Sequence, residues 1–139
     1  MIIVYHSARF YLPLLACALH LGLSYEAEDF FRAGWAEETG KPLRVMGRDD
    51  GGNIVCSLIH GRHGGLYKRA LEGAADVFEL SCRCIRVEDL LTVRRTGRNL
   101  ALSRLIACHL PHFLGPAQRR AIARALDRQL KRQREEGRP

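Results

Sequence analysis

The chain lacks most of the features that sort a sequence quickly into a class. No apolar run is long enough to cross a bilayer: the longest, Phe10 to Leu23, holds Pro13 and His20 and falls short of the roughly 20 residues a membrane span needs. Its five cysteines (17, 56, 82, 84 and 108) are odd in number and sit mostly among apolar neighbours. That fits reduced thiols used as small core residues and not a disulfide framework. No basic stretch precedes the opening Met1-Ile-Ile-Val-Tyr-His and no small-residue cleavage site follows it, so it is expected to be a first strand and not a signal peptide. The expected compartment is the cytoplasm, with no membrane insertion.

Other signatures are missing too. There is no internal repeat, no low-complexity linker and no recognised nucleotide fingerprint. Aromatic residues make up 7% of the chain, with no RNA-type aromatic signature and no helix-turn-helix glycine turn. No nucleophile and base stand at recognisable spacing, so the sequence assigns no reaction of the hydrolase or phosphotransferase kind.

What is present is a lopsided charge. Residues 1–93 carry 10 Lys/Arg against 12 Asp/Glu, while residues 94–139 carry 12 against 3, so the net +7 comes from the last third. Nineteen of the 22 cations are Arg, the side chain that grips phosphate and carboxylate in a bidentate way. A near-neutral body with a basic C-terminal segment is the pattern of a domain that meets something acidic at that end.

At 139 residues the chain suits one domain. Ile2–Tyr5 reads as a central strand buried on both faces. Pro13 opens a helix with Leu15, Ala16, Leu19 and Leu23 at helical spacing, and Gly22 ends it. Ser24 can cap a second short helix bearing Glu26, Glu28 and Asp29 in its first turn and burying Phe30, Phe31 and Trp35. Strand-like runs at Leu43–Met46 and Ile54–Ile59 flank Asp49-Asp-Gly-Gly-Asn53, a β-hairpin pattern. Gly61–Gly65 then leads into a helix with Tyr67, Ala70, Leu71, Ala74, Val77 and Phe78 on one face. Ile85–Val87 suggests another strand, followed by a short turn or helix at Glu88–Leu91. Two helices close the chain, the first lined by Leu102, Leu105 and Ile106, the second running from about Ala117 with Ile122, Leu126 and Leu130 as a narrow apolar stripe. The end from Arg134 is expected to fray. The class is a single α/β domain over 1–139, a small three-layer, Rossmann-like sheet with a hairpin and a basic helical C-terminal part over 98–135.

The opening and middle resemble a family of small bacterial proteins catalogued as domain of unknown function 3189. Its members begin with a strand ending in Tyr-His, matched by Tyr5-His6, and a helix ending in Ile-His-Leu-Gly, matched by Leu19-His20-Leu21-Gly22. A hairpin turn of the form D-x-x-G-N is matched by Asp50-Gly-Gly-Asn53, a G-R-x-G by Gly61-Arg-His-Gly64, and an A-L-x-G-x-A-x-x-F helix by Ala70 to Phe78. The resemblance covers about residues 1–80. It departs where the family has a Gly/Ser-rich turn, replaced here by Ser7-Ala-Arg-Phe-Tyr-Leu-Pro13. It carries no activity over to this chain.

Two loops are candidate sites. The first, His6 to Tyr11, follows the carboxyl end of the first strand, where open α/β sheets hold ligands. His6 is the candidate acid/base, with Ser7 beside it and Arg9 as an anion clamp. The second, His60-Gly-Arg-His-Gly-Gly65, supplies His60, Arg62, His63, Gly64 and Gly65 before a helix, and its glycines permit close approach to a phosphate or carboxylate. The plainer alternative is a satisfied strand-end histidine and a turn whose glycines serve backbone geometry alone. Metal is a third option, through His60-x-x-His63, Cys82-x-Cys84 or Cys108-His109-x-x-His112, but none has the spacing of a tetrahedral zinc site. No metal and no cofactor are therefore expected.

The expected function is binding of a small anionic ligand where these loops meet. The alternative is a non-catalytic interaction protein whose last helix offers Arg119, Arg120, Arg124, Arg128, Lys131 and Arg132 to an acidic protein or nucleic acid. On that alternative, removing residues 116–139 leaves the body folded.

Overall fold

The computed structural model describes residues 1–8, 11–23, 42–91 and 116–136. The elements run β1 (Ile2–Ser7), α1 (Tyr11–Leu21), β2 (Leu43–Arg48), β3 (Ile54–Ile59), α2 (Gly64–Val77), β4 (Cys82–Arg86), α3 (Val87–Leu90) and α4 (Pro116–Glu136).

An apolar run can occupy the middle of a sheet because both its faces are covered, and β1 does so. The strand order is β2-β3-β1-β4, with β1 parallel to both β3 and β4 and β2 antiparallel to β3. Side chains alternate along β1. Ile3 and Tyr5 join Leu12, Leu15, Val87, Leu126 and others from α1, α3 and α4 in the larger core. Val4 joins Cys56 and Leu58 on the opposite face, under Tyr67 and Leu71 of α2. This is the expected three-layer α/β arrangement.

The structure shifts several boundaries. Helix α1 begins at Tyr11, so Pro13 is its third residue, still in the first turn where a missing N–H costs no helical bond. The last parallel strand is Cys82–Arg86 and not Ile85–Val87. Val87 instead opens the single-turn α3, where it and Leu90 are both buried in the core. In α2 the buried residue is Ala75, and Tyr67 and Leu71 are the partly buried hydrophobic residues packed on the sheet. Val77 and Phe78, expected inside, are 78% and 72% exposed: Val77 is turned away from the Tyr67–Leu71–Ala75 row, and Phe78 is the C-cap beyond the helix.

The C-terminal helix is also more than a basic appendage. Ile122, Ala123, Leu126 and Leu130 of α4 are buried in the same core as α1. Removing residues 116–139 would therefore open the larger core, which corrects the expectation that the body folds without them. The helix continues through Arg134 to Glu136. Cys17 and Cys56 are buried and Cys82 and Cys84 half-buried, all as free thiols. The helices expected around Ser24–Trp35 and Leu102–Ile106 lie outside the described residues, as do Arg9, Cys108, His109 and His112.

Candidate functional site

Helix α1, which follows β1, packs on one face of the sheet, and α2, which follows the neighbouring β3, packs on the other. Where adjacent parallel strands send their helices to opposite faces, a crevice opens at the carboxyl edge. That edge carries His6 and Ser7 from β1 and His60 just after β3, with the His60 N–H donating to the Ser7 carbonyl at 3.1 Å. Fifty-four positions apart, His6 Nδ1 and His60 Nε2 meet at 3.1 Å, with ring centroids 5.2 Å apart.

The proton positions in this pair follow from its outer partner. His60 Nδ1 lies 3.1 Å from the Gly61 carbonyl, which can only accept, so neutral His60 carries its proton on Nδ1 and accepts on Nε2. His6 must then donate from Nδ1, leaving its Nε2 as a basic lone pair. Burial first, then His60 and the cations Arg86 and Lys68, hold His6 below the ordinary imidazole range, against an opposing pull from Glu88.

Two local features fix this geometry. Gly61 has φ +53, a left-handed turn that glycine adopts without strain. A Cβ on Gly64 would fall 2.5 Å from His60 Cε1, so only glycine lets the ring lie against the first turn of α2. His63 is the N-cap of α2 and makes no side-chain cap bond. Arg62, His63 and Gly65 are exposed on the same turn. On the other side of β1, the buried Ser7 hydroxyl donates to Glu88 Oε1 at 2.6 Å, and Glu88 Oε2 lies 3.6 Å from Arg86 Nε. The edge thus brings His6, Ser7 and His60 together, with Arg86 and Glu88 added by a strand end the sequence reading had placed differently. The α4 cations Arg120, Arg124, Arg128, Lys131 and Arg132 are exposed and Arg119 half-buried.

A second polar cluster was not foreseen. Tyr5 Oη lies 2.7 Å from His20 Nδ1, and His20 Nε2 lies 3.1 Å from Asp49 Oδ2. The Asn53 N–H donates to Asp49 Oδ1 at 2.8 Å and its side-chain amide to Oδ2 at 3.0 Å. Burial alone would raise the Asp49 carboxyl, but these bonds from Asn53 and His20 outweigh it and bring it down to about 2. A carboxylate accepts only, so His20 holds its proton on Nε2 and takes the Tyr5 O–H on Nδ1. Burial, with Arg134 adding to it, lowers His20. Burial also pushes the Tyr5 phenol up, so the hydroxyl keeps its proton. Beside this chain, between the hairpin turn, the β1–β4 face and the end of α4, opens a cleft of about 670 Å³.

Two imidazoles held neutral give stability a definite pH sense. Both fold with values below the ordinary 6.5, so the unfolded chain takes up protons first as pH falls. Their contribution is complete above about 6.5 and is lost below it. The urea midpoint is expected to fall between about pH 7.5 and 5.5, and less so in His20→Asn. A midpoint that rises on acidification would contradict both assignments.

Among the described residues no group of three or more His, Cys, Asp or Glu is placed to hold a metal ion, and no helix is long and apolar enough to cross a membrane. Comparison of the chain with protein-family models, with curated proteins and with solved structures finds no match.

Proposed function

We propose that the chain binds a small anionic ligand, phosphate- or carboxylate-bearing, at the carboxyl edge of the sheet between His6 and the His60–Gly65 turn. The observation that carries this reading is the His6–His60 contact at the crevice between β1 and β3. The edge also has the amino end of α2, whose first-turn N–H groups and dipole favour negative charge, and Arg62, Arg86 and Lys68 nearby.

The pair makes binding proton-linked. Free His6 resists a proton because it is buried beside another imidazole and two cations. A bound anion offsets that cost, so binding draws a proton onto His6 Nε2. Sulfate is the cleanest probe, since its own charge is constant through this range. Its affinity is expected to rise as pH falls from about 7.5 to 5.5, by up to about tenfold per pH unit for one linked proton. His6→Asn should flatten that slope. Gly64→Ala should displace the His60 ring, a movable side-chain end, and weaken sulfate while leaving the fold intact. Affinity independent of pH in the unaltered chain would remove the reading.

A second reading has its own observation. The α4 stripe is turned into the core, which leaves Arg120, Arg124 and Arg128 exposed at four-residue spacing, about 6 Å apart along the axis. Such a row suits an acidic protein or a phosphate backbone. The test is Gln at all three positions, which spares the core: capture of a polyanion such as heparin should weaken and lose its salt dependence, and unchanged capture would count against it.

A further inference from the structure

We propose that the cleft beside Tyr5 is a second ligand site, one that takes a small zwitterion of amino-acid to short-peptide size. The site lies on the opposite face of β1 from the His6–His60 pair and does not depend on it. At about 670 Å³ the cleft falls within the range of small-molecule sites. Its walls combine an apolar part, Ile3, Ile85 and Leu130, with charges of both signs.

The signs decide the ligand class. Arg83 lines the cleft and has no hydrogen bond or ion pair with any described residue, whereas Lys131 is paired with Asp127 at 2.8 Å and Arg134 donates to the His20 carbonyl. Asp50 and Glu135 also line it, so a bare anion would meet repulsion as well as attraction. A molecule carrying a carboxylate for Arg83 and an ammonium for the two acidic side chains satisfies both.

The hydrogen-bond chain adds polarity to the wall. With Asp49 accepting from His20 Nε2–H and His20 Nδ1 accepting from Tyr5, the Tyr5 oxygen is left with lone pairs and no further proton to give. At 2% exposure it offers no proton to a ligand carboxylate, which leaves Arg83 as the partner of that group. The chain ties together three separate elements, β1, α1 and the hairpin turn, which holds this wall of the cleft in place before any ligand arrives.

The test is an amide-resolved NMR titration of the full chain with dialanine and trialanine bearing free termini, against N-acetylalanine methylamide, acetate and ethylammonium. The free peptides should shift Asp50, Gly51 and Arg83 amides and the His20 ring, with the three controls inactive at the same concentration. Arg83→Gln, at an exposed position, should keep the fold and weaken the peptides about tenfold, the loss of one charge-assisted contact. No shift at the cleft, an equal shift from the blocked peptide, or an unaltered affinity in Arg83→Gln would each overturn the proposal. Sulfate in the same experiment reports on Gly64 and His6, so failure at one site is read separately from failure at the other.

Discussion

Leu126→Ala is expected to cost about 2 to 5 kcal/mol, the range for emptying a buried leucine site. Leu126 is 0% exposed and sits with Leu12, Leu15 and Val87 in the larger core. Its neighbours there are anchored on separate helices and strands, so the surroundings can collapse only partly into the space. Urea unfolding followed by circular dichroism would show the midpoint fall with the slope unchanged. Arg124→Gln, two residues away and exposed, should stay within about 0.5 kcal/mol of the unaltered chain. A near-neutral Leu126→Ala would mean that α4 is not part of the folding unit.

Asp49→Ala should be the most costly change among the polar residues, about 3 kcal/mol. It removes the acceptor of the Asn53 N–H, the Asn53 amide and His20 Nε2 together, and half-buried donors left without an acceptor cost roughly 1–3 kcal/mol each. Asp49→Asn should cost less, because its amide oxygen still accepts. The effect has a pH signature. Asp49 folds with a value brought down from 3.8 to about 2, so its contribution is complete above 3.8 and disappears as pH falls towards 2. The gap between the unaltered chain and Asp49→Ala should narrow over that interval. A gap that is the same at both ends would mean the carboxylate charge is not what holds the hairpin.

Much of this architecture was legible in the residues. Ile2–Tyr5 is apolar at every position, which only a strand covered on both faces can use. The hairpin was readable from Asp49-Asp-Gly-Gly-Asn53 because Gly52 supplies the positive φ (+75) that the turn needs. Strand β4 was harder. Cys82-Arg-Cys alternates but Ile85-Arg86 breaks the pattern, and the two arginines make the run look like surface, which its pairing with β1 as an edge strand explains. The inward face of α2 could not be read from spacing alone, since apolar residues surround much of that helix and the sheet selects among them.

The Tyr5 relay had a signal that spacing alone could have given. His20 follows Leu12 and Ala16 at intervals of four, which places a polar ring on the buried stripe of α1, where it needs a partner. Tyr5, His20, Asp49 and Asn53 converge on one network from β1, α1 and the hairpin turn. At the carboxyl edge, loop position pointed to His6 and to the His60–Gly65 turn with Arg62 and His63 as anion contacts; the structure sets His60 against His6 and leaves Arg62 and His63 exposed on the turn. The Ser7–Glu88 bond, by contrast, spans 81 positions and depends on where β4 ends.

His6 of β1 and His60 just after β3 are proposed to form one proton-linked anion site. Nitrogen-detected NMR of the imidazole rings, with and without sulfate at about pH 6.5, tests it most directly. Nδ1–H tautomers are expected for both rings in the free protein, with protonation of His6 Nε2 on adding sulfate. Rings that stay neutral and unshifted at saturating sulfate would contradict it.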